Sequence, residues 1–160
     1  MIRKIQFQIE VVENEELLSE PDRGLVLEAK KSTEDAYAPY SGFKVAAVAR
    51  LKNGALVSGT NQENASYPVG ICAERVLLGS AATLYPGVGI DTMAISYDSK
   101  EVKSDHPISP CGMCRQSLLE YETRTEKPIR LILAGQEGKI YIVKTIKFLL
   151  PFAFTSEELL

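Results

Sequence analysis

The chain has 160 residues, enough for one domain with its own core, and its 45% apolar, 24% charged and 8% aromatic content excludes disorder and low complexity. A net charge of −3 without a basic stripe makes long nucleic acid a poor partner, because binding phosphates needs clustered Lys and Arg. No apolar run reaches the length of a membrane span, and Met1 to Glu20 carries several acids without the apolar core of a secretion signal, so a cytoplasmic protein with reduced thiols and no membrane contact is expected.

Ile5, Phe7, Ile9 and Val11 alternate with polar residues, which predicts an edge or accessory strand within an N-terminal extension over 1–21. Ser19-Glu20-Pro21-Asp22 reads as a helix start. Leu25, Ala29, Thr33 and Ala36 follow at helical spacing and predict a helix over 22–36, ended by Pro39. Phe43, Val45, Ala47, Ala49 and Leu51 alternate as a strand. Asn53-Gly54 is a two-residue hairpin signal, and Ala55 to Thr60 returns as the second strand. The polar stretch from Asn61 to Gly70 holds Pro68 and reads as a loop. A second helix is expected from Cys72 to Leu84, closed by Pro86-Gly87. Met93 to Tyr97 reads as a third strand, followed by a loop through Pro110 and a third helix over 111–122. Strands over 129–134 and 140–144 flank the turn at 136–139, and a short helix is expected near 145–150. This alternation predicts an α/β fold: a three-layer α/β/α sandwich around a five-stranded mixed sheet, with the N-terminal strand as an extension and one domain over 22–160.

The three cysteines are the most informative residues. Cys72 opens Cys72-Ala73-Glu74-Arg75, and the other two lie in Pro110-Cys111-Gly112-Met113-Cys114-Arg115. A catalytic zinc needs three protein ligands, an open position for water and a group that moves protons. Cys111 and Cys114 are three apart, so their sulfurs share a face at a helix start. Cys72 also falls at a predicted helix start, so both helix N-termini point at one metal and favour thiolates. Glu74 at the first turn can fold back toward the metal as a proton shuttle instead of a ligand. Three thiolates leave a negative complex; Arg75 and Arg115 follow the motif residues, and Arg75 is expected to donate to the sulfurs. Cysteine first ligand, non-ligand Glu and Pro-Cys-x-x-Cys together match the signature of zinc deaminases. Other readings stay open: a structural Cys3His site completed by His106, a redox Cys-x-x-Cys that leaves Cys72 idle, or three inert buried thiols. No nucleophile elbow accompanies His106, and Gly87-Val88-Gly89 does not continue into a phosphate-binding pattern.

Four segments taken together resemble the cytidine deaminases: Tyr37-Ala38-Pro39-Tyr40-Ser41-Gly42-Phe43-Lys44-Val45, Asn61-Gln62-Glu63-Asn64-Ala65-Ser66-Tyr67-Pro68, Cys72-Ala73-Glu74-Arg75 and Pro110-Cys111-Gly112-Met113-Cys114-Arg115-Gln116. The resemblance spans roughly residues 22 to 156 and is to the small homotetrameric type with three cysteine ligands. It implies zinc on Cys72, Cys111 and Cys114, Glu74 as the catalytic acid and base, and a nucleoside substrate. It also implies that Asn61 and Glu63 hold the ribose hydroxyls, that Phe43 lines the pyrimidine pocket, and that backbone at Ala73 reads the amino group. Across a subunit boundary it implies Ala65, Tyr67 and a C-terminal aromatic. Phe154 is the closer match for that aromatic, with Phe152 as an extra candidate. Where Ala46 and Gly42 stand, the family commonly has Gly and often has His. The implied activity is hydrolytic deamination of cytidine and deoxycytidine to the uridine forms plus ammonia, in pyrimidine salvage. The alternatives are deamination of another aminated nucleoside or nucleoside antibiotic, or a non-catalytic zinc-binding module.

Overall fold

Apolar stripes on opposite faces of one sheet set the architecture. The computed structural model, which describes residues 1–159, forms strands β1 (Glu10–Val12), β2 (Phe43–Leu51), β3 (Leu56–Thr60), β4 (Ile90–Ser99), β5 (Arg130–Leu133) and β6 (Ile140–Val143). Its helices are α1 (Glu20–Ser32), α2 (Ala73–Leu84) and α3 (Gly112–Thr125). The sheet runs β1-β6-β5-β4-β2-β3, and only β4 against β5 is parallel. It is the expected mixed sheet with one correction: six strands stand among the described residues, where the sequence predicted five. β1 adds to the β6 edge with Val11 opposite Tyr141, so the extension is built into the sheet. Pairing covers only 10–12, and Ile5, Phe7 and Ile9 stay exposed although they continue the alternation.

Strand parity sorts the core into two layers. Ala47, Ala49, Met93, Ile95, Leu131 and Leu133 face Leu77 and Ala81 of α2 and Leu118 of α3. Val48, Ala94, Ile132 and Ile142 turn the other way, onto Leu25, Val26 and Ala29 of α1. The result is the three-layer sandwich. No helix among the described residues is long and apolar enough to cross a membrane.

Local chemistry explains the boundaries. The Ser19 hydroxyl accepts from Asp22 N–H, acids fill the first turn of α1, and Lys30 and Lys31 sit in its last. The helix stops at Ser32, earlier than the spacing predicts, because Thr33 donates its hydroxyl to the Lys30 carbonyl and the chain tightens into a 3-10 turn over Thr33–Asp35. Asn53-Gly54 turns the β2–β3 hairpin, with Gly54 at φ +87° and the Asn53 side chain accepting from Ala55 N–H. β4 extends beyond its predicted ends because the long β2 pairs with it from Ile90 to Ser99. Gly59 lets α2 lie directly on β3: a Cβ there would stand 2.4 Å from the Leu77 nitrogen and 2.6 Å from the Ala73 carbonyl oxygen. That close approach sets the height of the first turn of α2, which carries Glu74.

Candidate active site

Cys72 and Cys111 occupy the N-cap positions of α2 and α3, and neither side chain makes a capping hydrogen bond. An N-cap is usually Ser, Thr, Asp or Asn because its oxygen satisfies a first-turn amide. Here the position is given to sulfur, at the positive ends of two helix dipoles. Cys114 lies one turn into α3 and is fully buried. The Cys72 and Cys111 sulfurs stand 3.8 Å apart, those of Cys111 and Cys114 3.4 Å, and all three lie within 4.8 Å of one another. Thiolates about 2.3 Å from one tetrahedral zinc are themselves about 3.8 Å apart, so the donor set fits a single zinc.

The electrostatics of the corner point the same way. The Cys72 thiol is held down at about 6, first by its hydrogen bond with Cys114 and then by Cys111 and the Arg75 charge, against burial and the Glu74 charge. Cys114 is pushed up, by that same hydrogen bond first and by burial next. Three crowded sulfurs cannot all ionise without a cation among them, and a divalent ion supplies it. His106 is not part of the group. Its largely exposed ring sits against the Tyr97 hydroxyl and Asp105, so a Cys3His site is not assembled. Cys72 converges with the Cys-x-x-Cys pair, so no thiol is idle, as the redox and inert readings require.

Glu74 is 4% exposed in the first turn of α2, yet it lines the same cavity as Cys72 and Cys111. Burial raises its carboxyl above the usual range, partly offset by its own backbone N–H and by the Cys114 thiol. A buried carboxyl whose hold on a proton is strengthened in this way is suited to take up a proton and pass it on.

The cavity encloses about 630 Å³ and brings together Phe43, Asn61, Glu63 and Tyr67 with Cys72, Glu74 and Cys111. Asn61 acts as a piece of backbone: its side-chain oxygen accepts from Val45 N–H at 2.7 Å and its amide donates to the Phe43 carbonyl at 2.9 Å. One amide hydrogen and one lone pair remain for a ligand. Glu63 accepts from Tyr40 N–H at 2.9 Å, from Ser41 N–H at 3.3 Å and from the Ser41 hydroxyl. The Ser41 hydroxyl and the two amides hold its carboxyl below the usual value. The loop is tied to the cap of α2 by the Gln62–Ile71 bridge, with N–H to carbonyl bonds of 2.9 and 3.0 Å.

Other expected residues sit apart. Ala73 is fully buried and does not line the cavity, nor does Ala65. Phe152 and Phe154 are 82% and 59% exposed and lie outside it, the Phe154 carbonyl accepting from the Gln116 side chain at 2.8 Å. Arg75 makes no side-chain hydrogen bond among the described residues. It lies with Ser117, Glu120 and Arg124 in a groove between α2 and α3, so the expected donation to sulfur is not formed, although its charge reaches Cys72. Arg115 is the arginine that ties the corner down. It donates to the Pro110 carbonyl at 2.8 Å and to the Leu149 carbonyl at 3.0 Å, clamping the loop before Cys111 to the C-terminal segment. Sequence reasoning named Arg115 but missed this role, and it missed Tyr40, Ile108 and Ser109 as cavity walls. Ile108 and Ser109 directly precede Pro110, the one signal that pointed to them.

A family model described as the cytidine and deoxycytidylate deaminase zinc-binding region matches residues 19–127. A cytidine deaminase of Halalkalibacterium halodurans is 39% identical over 137 residues, covering 84% of this chain and 95% of that protein. One from Mycoplasma pneumoniae is 43% identical over 123 residues, covering 77% of this chain and 86% of that protein. Among solved structures, the cytidine deaminase of Burkholderia pseudomallei matches with a TM-score of 0.72 at 34% identity, covering 86% of this chain and 100% of the other.

Proposed function

The chain belongs to the cytidine and deoxycytidylate deaminase family and carries its zinc-binding region, and from that premise we propose that it deaminates cytidine and deoxycytidine by hydrolysis, with Glu74 moving the protons. One observation carries the reading: of three sulfurs set for one metal, those of Cys72 and Cys111 line a nucleoside-sized cavity together with a buried carboxyl. Zinc held by Cys72, Cys111 and Cys114 supplies Lewis acidity that makes a water nucleophilic near neutral pH. Glu74 takes one proton from the attacking water and passes it to ring N3, then carries the second proton of that water, from the hydroxyl now on C4, to the amine, which leaves as ammonia as the C4 carbonyl forms. Phe43 is the pyrimidine wall, and the amino group is read by Glu74 and by the backbone around Ala73, which lies between the lining residues Cys72 and Glu74 although its side chain is turned away from the cavity. Asn61 and Glu63 hold the ribose hydroxyls; their loop bonds keep both in place before substrate arrives. Arg75 acts through its charge on Cys72.

Chemistry favours a free nucleoside over a nucleotide. Among the described residues the cavity is lined by Glu63 and Glu74 and by no Lys or Arg, so a 5′-phosphate meets no cation there. Another aminated nucleoside remains the second reading, since the same walls accept related rings. The wider proposal keeps 22–160 as the catalytic domain, with 1–21 as its extension, in a cytoplasmic homotetramer serving pyrimidine salvage. Exposure of Tyr67 at the cavity and of Phe154 beyond it supports sites shared between subunits, with Ala65 contributing to that boundary. Light scattering tests this, and a monomer defeats it.

The deciding experiment is ammonia release from cytidine by the zinc-loaded protein, with Glu74→Ala alongside. The variant is expected to keep its zinc and lose roughly 10²–10⁴-fold in kcat, the range of a positioned acid and base. Turnover like the wild type would reject the shuttle.

A further inference from the structure

Tyr97 is the largest side chain in the fully buried core, yet it belongs to no motif. It stands on β4 opposite Val45, on the face turned toward α2 and α3. Its ring stacks on Phe43, with centroids 5.1 Å apart and planes 18° from parallel. Phe43 itself lines the cavity. The Tyr97 hydroxyl donates to the Lys103 carbonyl at 3.2 Å and lies 3.3 Å from Nδ1 and 3.4 Å from Nε2 of His106. His106 is followed by Pro107, then by Ile108 and Ser109, which form another wall of the cavity, and then by Pro110 and Cys111.

The rest of this loop is also pinned. The Ser104 carbonyl accepts from Gln136 N–H at 2.6 Å and Glu137 N–H at 3.1 Å, and the Tyr97 carbonyl accepts from the Gln136 side chain at 3.0 Å. Gly135 and Gly138 permit this contact, since a Cβ would stand 2.4 Å from the Ser104 oxygen in one case and 2.1 Å from the Asp105 oxygen in the other. The loop is thus fixed against the β5–β6 turn on one side, and Tyr97 fixes the side that leads to the cavity.

We propose that Tyr97 is a positioning residue for the nucleoside: its ring backs Phe43 and its hydroxyl holds the 103–106 loop, so one buried side chain sets the gap between Phe43 and Ile108–Ser109. Tyr97 does not line the cavity. It reaches no reacting atom, and it acts on binding of the ring instead of on proton transfer at Glu74. Stacking against an offset aromatic and one hydroxyl bond are the two interactions by which it does so.

This inference rests on the deaminase reading, and the test separates the two. KM and kcat for cytidine are measured on wild type, Tyr97→Phe, Tyr97→Leu and His106→Ala, each normalised to bound zinc. Tyr97→Phe keeps the stack and loses the hydroxyl; its KM is expected to rise about three- to ten-fold with kcat within about twofold, the scale of one hydrogen bond. Tyr97→Leu loses the stack as well and is expected to raise KM further, and His106→Ala is expected to raise KM less than Tyr97→Phe. A purely structural role would lower the melting temperature and leave KM of the zinc-loaded fraction unchanged in Tyr97→Phe and Tyr97→Leu. That result overturns the proposal, as does a loss confined to kcat. A wild-type protein that binds zinc but releases no ammonia from cytidine defeats the cytidine reading, and this inference with it.

Discussion

The cysteine corner and the Asn61–Glu63 rim are two parts of one cavity, built on opposite principles. In the corner, Cys72 and Cys111 take cap positions without capping, and the thiols crowd one another. Its thiols bond to one another and to Glu74, and none of them caps a helix. On the rim, Asn61 and Glu63 are already bonded to backbone and to Ser41. The difference separates two kinds of preorganisation. The corner is completed by a bound ion and gains its order from it. The rim is ordered beforehand and keeps only residual hydrogen-bonding capacity for the ligand.

Breaking the corner is expected to have the largest effect. Cys111→Ala leaves two sulfurs, too few for a catalytic zinc, so metal content by mass spectrometry falls to background and ammonia release with it. Chelation of the wild type reproduces the loss, and zinc restores it. On the rim, Asn61→Ala unpairs the Val45 N–H and the Phe43 carbonyl at about 1–3 kcal/mol for a group left unsatisfied, so the melting temperature drops and KM rises while zinc is retained.

A pH titration of stability sharpens the contrast further. The native Glu63 carboxyl is depressed below its ordinary 4.5, first by the Ser41 hydroxyl and then by the two amides. Its unfolded form therefore binds a proton more readily than its folded form. The stabilisation is fully present above the ordinary value and is lost as pH falls through the depressed one. Glu63→Gln should flatten that acid limb in a pH series of melting temperatures, with neutral-pH zinc content unchanged. The smallest effect is expected from Arg75→Gln. A part-exposed charge without a hydrogen bond contributes about 1 kcal/mol or less, so kcat should fall by no more than about fivefold with zinc retained.

Sequence alone determined the corner. Cys111 and Cys114 are three apart at a helix start, and Cys72-Ala73-Glu74 opens another helix, so ligand chemistry and helix geometry act within a few residues of chain. It also determined the strand parity of 43–51 and the Asn53-Gly54 turn, which are equally local. Asn61 and Glu63 were legible only through the resemblance of their segment, since an Asn and a Glu in a loop carry no sign of what they bind.

Tertiary structure decided the rest. β1 joins the sheet because β6 presents a free edge, which no spacing within 1–21 encodes. Arg75 and Arg115 both follow motif residues, and only packing shows that Arg115 faces the Pro110 and Leu149 carbonyls while Arg75 faces the groove between α2 and α3. Phe43 rests on Tyr97 because the register of β2 on β4 brings them together. Short-range geometry repeats with the period of a helix or strand and can be read from residue order. Contacts between distant segments depend on how whole elements pack, and they exist only once the chain has folded.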